Sequence, residues 1–204
     1  HKFKDWVTMT DPVTDNDPTW INMQDQVQVA GGSFSHLGVT YTGAPGGSFR
    51  VGVFSEASLG AASEYGPAIG ATCPGADVNR NGVCGERFAV LWRTRDNMVW
   101  VDANADRSFA DETPMTDFKV ARHVRTFGVD NPATPLRESV PFVVQTNGKD
   151  KYVNIGIVSG AHGTHVAGIA AGNDFFGGAF DGAAPEAQLV SVRACLFVSG
   201  CTAH

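Results

Sequence analysis

One stretch restricts the fold more than any other: HGTHVAGIAAGN (His162 to Asn173), where small residues surround Val166, Ile169 and Ala170 at helical spacing. It follows an apolar run, KYVNIGIV (Lys151 to Val158), and a Gly-rich loop, DFFGGAFDGAAPEA, separates it from QLVSVRACLF (Gln188 to Phe197). The last segment is nearly continuous in apolar and β-branched residues, as expected of a strand covered on both faces. Strand, tightly packed helix and strand in that order predict a β-α-β unit with parallel strands and a right-handed connection.

The preceding residues have a different texture. FRVGVFSE (Phe49 to Glu56) alternates for part of its length, and RFAVLW (Arg87 to Trp92) and MVWVDA (Met98 to Ala103) flank a turn at Arg95, Asp96 and Asn97. VPFVVQT (Val140 to Thr146) meets KYVNIGIV across Asn147-Gly148, a strong hairpin signal. TDPVTDNDPTW and GVDNPATPLRE read as loops, because Asp, Asn and Pro compete with regular backbone pairing. The expected division is a mainly antiparallel β region over 1–150 and an α/β region over 151–204.

Composition narrows the class. With 204 residues and 43% hydrophobic content the chain can bury a core, and a net charge of -6 argues against a phosphate-binding surface. Neither a nucleic acid nor a membrane is an expected partner, since no apolar run approaches the roughly 20 residues of a membrane helix. The opening HKFKDWVTMT resembles neither a signal nor a transit peptide, so the chain is expected to start after any targeting segment or to be cut from a longer polypeptide. Four cysteines fall into two local pairs, Cys73 with Cys84 and Cys195 with Cys201, each able to close a short Gly-rich loop. Local pairing is the favoured of three connectivities, with four free thiols as the alternative. The cysteines and the acidic composition tilt the expected location towards a secreted or extracytoplasmic one.

The blocks GAHGTHVAGIAAG (Gly160 to Gly172) and FDGAAPEAQLVSVRA (Phe180 to Ala194) resemble the histidine region of the subtilase family of serine peptidases. In that family His-Gly-Thr-His-Val-Ala-Gly opens a helix and Gly-x-Ala-Pro-x-Ala leads into the next parallel strand. The resemblance implies a partial doubly wound α/β sheet, with its β-α-β unit at the C-terminal end, preceded by a mainly antiparallel β insertion. It also assigns His162 as the catalytic general base, with His165 one turn on as a packed structural residue. The chemistry agrees, because a serine hydroxyl needs a base that is neutral near pH 7, and imidazole meets that need. At the first turn of the helix His162 would project into the crevice beyond the strand ends, with Gly163 keeping the adjacent space empty and Ala167 and Gly168 letting the helix approach the sheet. A zinc site is disfavoured, since Gly163 stands where a His-Glu-x-x-His motif has its glutamate.

The family's Asp-Ser/Thr-Gly and Gly-Thr-Ser-Met motifs do not occur in the sequence, and no Ser/Thr-Gly follows Asp5. The expected parent is therefore a secreted endopeptidase whose remaining polypeptide supplies the triad aspartate, before residue 1, and the serine, after residue 204. Its substrate would be a protein or peptide, and the isolated chain would be inactive. More than 150 residues precede His162, which resembles the larger subtilases, tripeptidyl-peptidase-II-like forms among them, with an insertion between aspartate and histidine. The alternative is a non-catalytic β-rich accessory or calcium-binding module.

Two segments of the insertion carry oxygen-rich loops. VDANADRSFADE sets Asp102, Asn104 and Asp106 at alternate positions with Asp111 and Glu112 beyond, and DVNRNGVCGE repeats the pattern with Asp77, Asn79, Asn81 and Glu86. Such loops can converge oxygens on Ca2+ at ~2.4 Å. Neither meets the EF-hand pattern, Arg107 standing in place of the turn glycine in the first, and solvated Asx-rich turns are the competing account.

Overall fold

A computed structural model of the chain describes residues 2–59, 75–130, 132–133, 139–157, 161–196 and 200–201. Cys73, Val158, Gly160, Phe197 and part of the loop GVDNPATPLRE lie outside the described residues. In chain order the strands are β1 (Phe3–Thr8), β2 (Trp20–Asn22), β3 (Asp25–Val29), β4 (Phe34–His36), β5 (Val39–Tyr41), β6 (Gly47–Ser55), β7 (Arg87–Arg93) and β8 (Met98–Val101). A single helical turn, α1 (Phe118–Ala121), precedes β9 (Arg125–Phe127), β10 (Val140–Asn147) and β11 (Tyr152–Ile157). The helix α2 (Ala161–Ala171) leads to β12 (Leu189–Arg193), β13 (Cys195–Leu196) and β14 (Gly200–Cys201).

Two four-stranded antiparallel sheets, ordered β3-β6-β7-β8 and β2-β11-β10-β9, form the body. The strand β7 shows why they stack. Phe88, Val90 and Trp92 point to a core shared with Phe127, Phe142, Val144 and Ile155 of the other sheet, while Ala89 and Leu91 point oppositely to a second core with Phe34, Tyr41, Trp100 and Phe109. The period of two in a strand sends alternate side chains to opposite faces, so a run apolar at every position serves two cores. Gly52 marks where β6 crosses β2, since a Cβ there would lie 2.6 Å from the Asn22 carbonyl oxygen. No side chain larger than hydrogen fits.

Sequence and structure agree on the hairpins β7–β8 and β10–β11. The second turn is longer than Asn-Gly suggests: Asn147 pairs with Tyr152, the Lys151 amide donates to the Asn147 carbonyl at 2.9 Å, and Lys151 takes a left-handed φ of 63°. Asn147 Oδ1 accepts the Asp150 amide at 3.0 Å, an Asx contact that favours this wider loop over a two-residue turn.

The α/β expectation requires correction in its connectivity. Strand β11 is hydrogen-bonded to β10 and β2, both antiparallel, whereas β12 runs parallel to β1. The strands flanking α2 are thus not neighbours, and the described residues form mixed sheets with few helices. Parallel pairing does occur, between the N-terminal strand FKDWVT and LVSVR. Nor is β12 covered on both faces: Val190 and Val192 are 55% and 56% exposed.

Candidate active-site region

Helix α2 follows from its composition, Ala-rich with no proline, and it ends where Gly172 interrupts it. Its C-terminal carbonyls are satisfied by the returning chain. The amides of Gly182, Ala183 and Ala184 donate to the carbonyls of Gly172, Ile169 and Ala170 at 2.9, 2.9 and 2.8 Å. That capping answers the unmet acceptors at any helix end, and it gives the block Gly182-Ala183-Ala184-Pro185 a physical role. Gly182 must be glycine, because a Cβ would lie 2.6 Å from the Gly172 nitrogen and 2.8 Å from the Gly168 oxygen. From there Lys2 Nζ bonds the carbonyls of Pro185 and Ala187, the Leu189 amide donates to the Lys2 carbonyl at 2.9 Å, and β12 is delivered alongside β1.

His162 is the second residue of α2, shortly after β11 ends at Ile157. It is exposed, its imidazole makes no hydrogen bond to another described residue, and His165 is exposed one turn on. A Cβ at Gly163 would meet no described atom within 4 Å. Gly168 does not serve an approach to a sheet. A Cβ there would lie 3.4 Å from the ring of Phe175, so the close neighbour is the loop after the helix. Val166 and Ile169, which a sheet would cover, are 49% and 62% exposed, and His165 is not packed. Asp5 lies in β1, its Oδ1 accepting the neighbouring Trp6 amide at 2.8 Å. An apolar groove lined by Phe3, Trp6, Phe118, Val124 and Phe142 opens beside β1, and His162 is not in its wall.

A buried polar centre lies at the end of β12 that sequence reasoning missed. The guanidinium of Arg193 pairs with Asp17 and donates from Nη2 to Thr19 Oγ1 at 2.7 Å. Asp17 Oδ1 also accepts the Thr19 amide and hydroxyl at 2.9 and 2.8 Å, and its Oδ2 accepts the Thr10 hydroxyl. Asn154 of β11 donates to Thr19 Oγ1 at 2.8 Å and accepts from Thr8 of β1 at 2.8 Å. The parallel pair β1–β12 is thereby tied to the antiparallel sheet through polar contacts that hold both partners of a desolvated ion pair.

In the loop after β8 the expected ligands separate by depth. Asp102 is fully buried, Glu112 half-buried, and Asn104, Asp106 and Asp111 exposed. Asp102 Oδ2 accepts the Arg107 amide at 3.1 Å, Asn104 Oδ1 accepts that of Asp106 at 3.2 Å, and Asp106 Oδ1 that of Ser108 at 2.7 Å. Glu112 Oε1 accepts the Ala103 amide at 2.6 Å, and Asn104 Nδ2 donates to Asp111 at 3.2 Å. Burial, reinforced by neighbouring carboxylates, pushes Asp102 up to about 6 and Glu112 up to about 7. Arg107 adopts φ 66°, the left-handed conformation that a turn glycine would supply. Among the described residues no three His, Cys, Asp or Glu side chains converge as a ready-made metal-ligand set.

The loop from Asp77 is internally satisfied. Asp77 accepts the amides of Asn81 and Gly82 at 3.1 and 2.9 Å, and Asn79 and Asn81 both donate to Glu86 at 2.8 Å. Glu56, fully buried, accepts the amides of Val78 and Glu86 at 2.9 and 2.7 Å. Cys84 and Cys195 are each disulfide-bonded, and β13–β14 sets Cys195 opposite Cys201. Cys73, the expected partner of Cys84, lies outside the described residues.

Comparison with known proteins adds two findings. The fold is similar to that in a crystal structure of tripeptidyl peptidase 2, with a TM-score of 0.65 and 13% identity over 98% of this chain. The chain spans 18% of the length of that protein, so it corresponds in shape to a part of a much larger polypeptide. Residues 128–203, which include α2, His162 and β12, match the profile of the Subtilase family. Residues 128–203, the histidine-bearing part of this chain, are thus similar to the subtilases, the subtilisin-like serine peptidases, and the fold of the chain is similar to that part of tripeptidyl peptidase 2.

Proposed function

We propose that the chain is the histidine-bearing portion of a secreted subtilisin-like serine endopeptidase, with His162 as its general base. The observation that carries the reading is the match of residues 128–203 to the Subtilase family, with His162 exposed in the first turn of α2. In this chemistry a serine Oγ attacks the scissile carbonyl carbon while Nε2 of His162 takes the hydroxyl proton. The same nitrogen then delivers that proton to the leaving amine, and the C–N bond breaks. Water hydrolyses the acyl-enzyme, passing a proton through His162 back to the serine oxygen. A carboxylate on Nδ1-H would fix the tautomer.

Both the serine and that aspartate are assigned to polypeptide outside residues 1–204, since neither motif occurs within them. Uncovered surface supports this assignment. Strand β12 has one described hydrogen-bonded neighbour, β1, and Val190 and Val192 on it are exposed together with Val166 and Ile169 on α2. Those positions suit a doubly wound parallel sheet that continues past β12 once the rest of the domain is present. Disulfide-bonded Cys84 and Cys195 support an extracytoplasmic location.

The test is labelling by a fluorophosphonate probe. The 204-residue chain alone should remain unlabelled, and a longer polypeptide bearing the upstream and downstream motifs should be labelled at one serine. Labelling of the isolated chain, or of neither form, would contradict the proposal and favour the non-catalytic accessory module.

A further inference from the structure

We propose that the loop from Asp102 to Glu112 binds one Ca2+ through the side-chain oxygens of Asp102, Asn104, Asp106 and Glu112, with Asp111 at its rim. This site lies in the insertion, and nothing in it depends on the peptidase reading.

The decisive observation concerns one atom. Asp102 is fully buried, and while its Oδ2 accepts the Arg107 amide, its Oδ1 has no hydrogen-bond partner. A buried carboxylate oxygen without a donor is costly, because desolvation is then uncompensated. None of Asp102, Asp106, Asp111 and Glu112 forms an ion pair among the described residues, although all four share one loop. The loop winds around the buried carboxylate: left-handed turns at Ala105 (φ 59°) and Arg107 (φ 66°) bring the Arg107 amide back onto Asp102.

The loop from Asp77 is the internal comparison. There both oxygens of Asp77 and both of Glu56 accept backbone amides, and no orphaned oxygen asks for a cation. Two loops of the same alternating sequence pattern therefore differ in the feature that points to a ligand.

Ca2+ fits the donor set. It takes six to eight oxygens in flexible geometry and accepts amide and main-chain carbonyl oxygens beside carboxylates. Among the described residues the three acids of the set do not converge, so binding would draw the exposed Asp106 and half-buried Glu112 in towards the buried Asp102. Mg2+ demands a compact octahedron and gives up water reluctantly, so an irregular loop with one buried carboxylate discriminates against it.

The experiment is calorimetric titration of the full chain with CaCl2 at fixed ionic strength, with thermal unfolding in parallel. The expected result is saturable binding with Kd of roughly 10⁻⁴–10⁻³ M, and a Tm raised by several degrees at about 10 mM CaCl2 and restored by chelator. MgCl2 at the same concentration should give a clearly smaller shift. Asp102→Asn should abolish the response. Because Asp102 is buried and that variant could misfold, exposed Asp106→Asn provides the second readout and should weaken binding at least ~10-fold. Absence of heat and Tm shift in the unmutated chain, an equal response to MgCl2, or an unchanged response in Asp106→Asn would each overturn the proposal.

Discussion

In the two stacked sheets Phe54, Phe88, Phe127 and Phe142 are buried against one another, Phe127 lying 4.4 Å from Phe142 and 4.9 Å from Phe88 between ring centroids. Along α2, its following loop and β12, by contrast, Val166, Ile169, Phe176, Phe180, Val190 and Val192 lie exposed. Full burial of such a side chain is worth about 1.5–3 kcal/mol, so the first region has realised a stabilisation that the second has not. What holds the second region is polar: the carbonyl caps from Gly182 to Ala184, the backbone pairing with β1, and the Arg193–Asp17 pair. The contrast teaches that the β-rich body buries its own apolar faces, while the histidine-bearing part leaves several of its apolar side chains exposed.

The strongest way to break this comparison is a matched pair of truncations. Phe127→Ala should cost about 4 kcal/mol, the usual scale for removing a ring from a closed core. Ile169→Ala, exposed in this chain, should stay within ~0.5 kcal/mol. Urea denaturation decides, and comparable losses would show that α2 is as well packed as the sheets.

Next in size is Arg193→Ala, which strands the buried carboxylate of Asp17 and should cost about 3 kcal/mol. Hydrogen exchange sharpens the reading: in that variant the amides of β1 and β12 should lose protection while those of β7 and β8 keep theirs. Uniform loss would mean that the polar centre supports the whole molecule.

A pH dependence within the body gives a further test. In chelator, Asp102 and Glu112 are raised to about 6 and about 7, above the ordinary carboxylate value of about 4. Their contribution is therefore fully present below about pH 4 and is lost as pH rises through about 6 and about 7. Facing groups act in both directions. Asp106 and Asp111 push both carboxyls up, and Tyr41, itself raised by burial and by Asp102, is pulled down by Arg87 and Arg107. Tm in chelator should fall over that window. A flat profile would separate this loop from the pH response.

Much of the body was legible because its strands are long and patterned. RFAVLW and VPFVVQT carry the apolar density of two-sided or core-facing strands, and the turns between hairpins carry Asx residues. The three-residue strands β2, β4, β5 and β9 were not, since so short a stretch shows no period. Strand β1 was missed for another reason: FKDWVT has little alternation, and its partner lies near the other end of the chain. The same separation hid the Asp17–Arg193 pair.

At the candidate site the helix and its histidines were legible from small residues and spacing, but the exposure of α2 and of one face of β12 was not. The sequence of LVSVR specifies a strand with apolar side chains on both faces, and whether both are covered depends on what packs there. In the loop from Asp102 the alternating oxygens were visible in sequence. Their sorting into one buried acid and several exposed ones arises from the depth at which β8 ends, which sequence spacing does not encode.

The most direct test of the account is turnover of a peptide substrate by the longer polypeptide, comparing His162→Ala with His165→Ala. His162→Ala should lower kcat by about 10⁴-fold or more, as loss of the base does in triad hydrolases, with folding unchanged because the side chain is exposed. His165→Ala should remain within about tenfold of the parent. Retention of activity by His162→Ala, or an equal loss in His165→Ala, would contradict the assignment of His162 as the catalytic base.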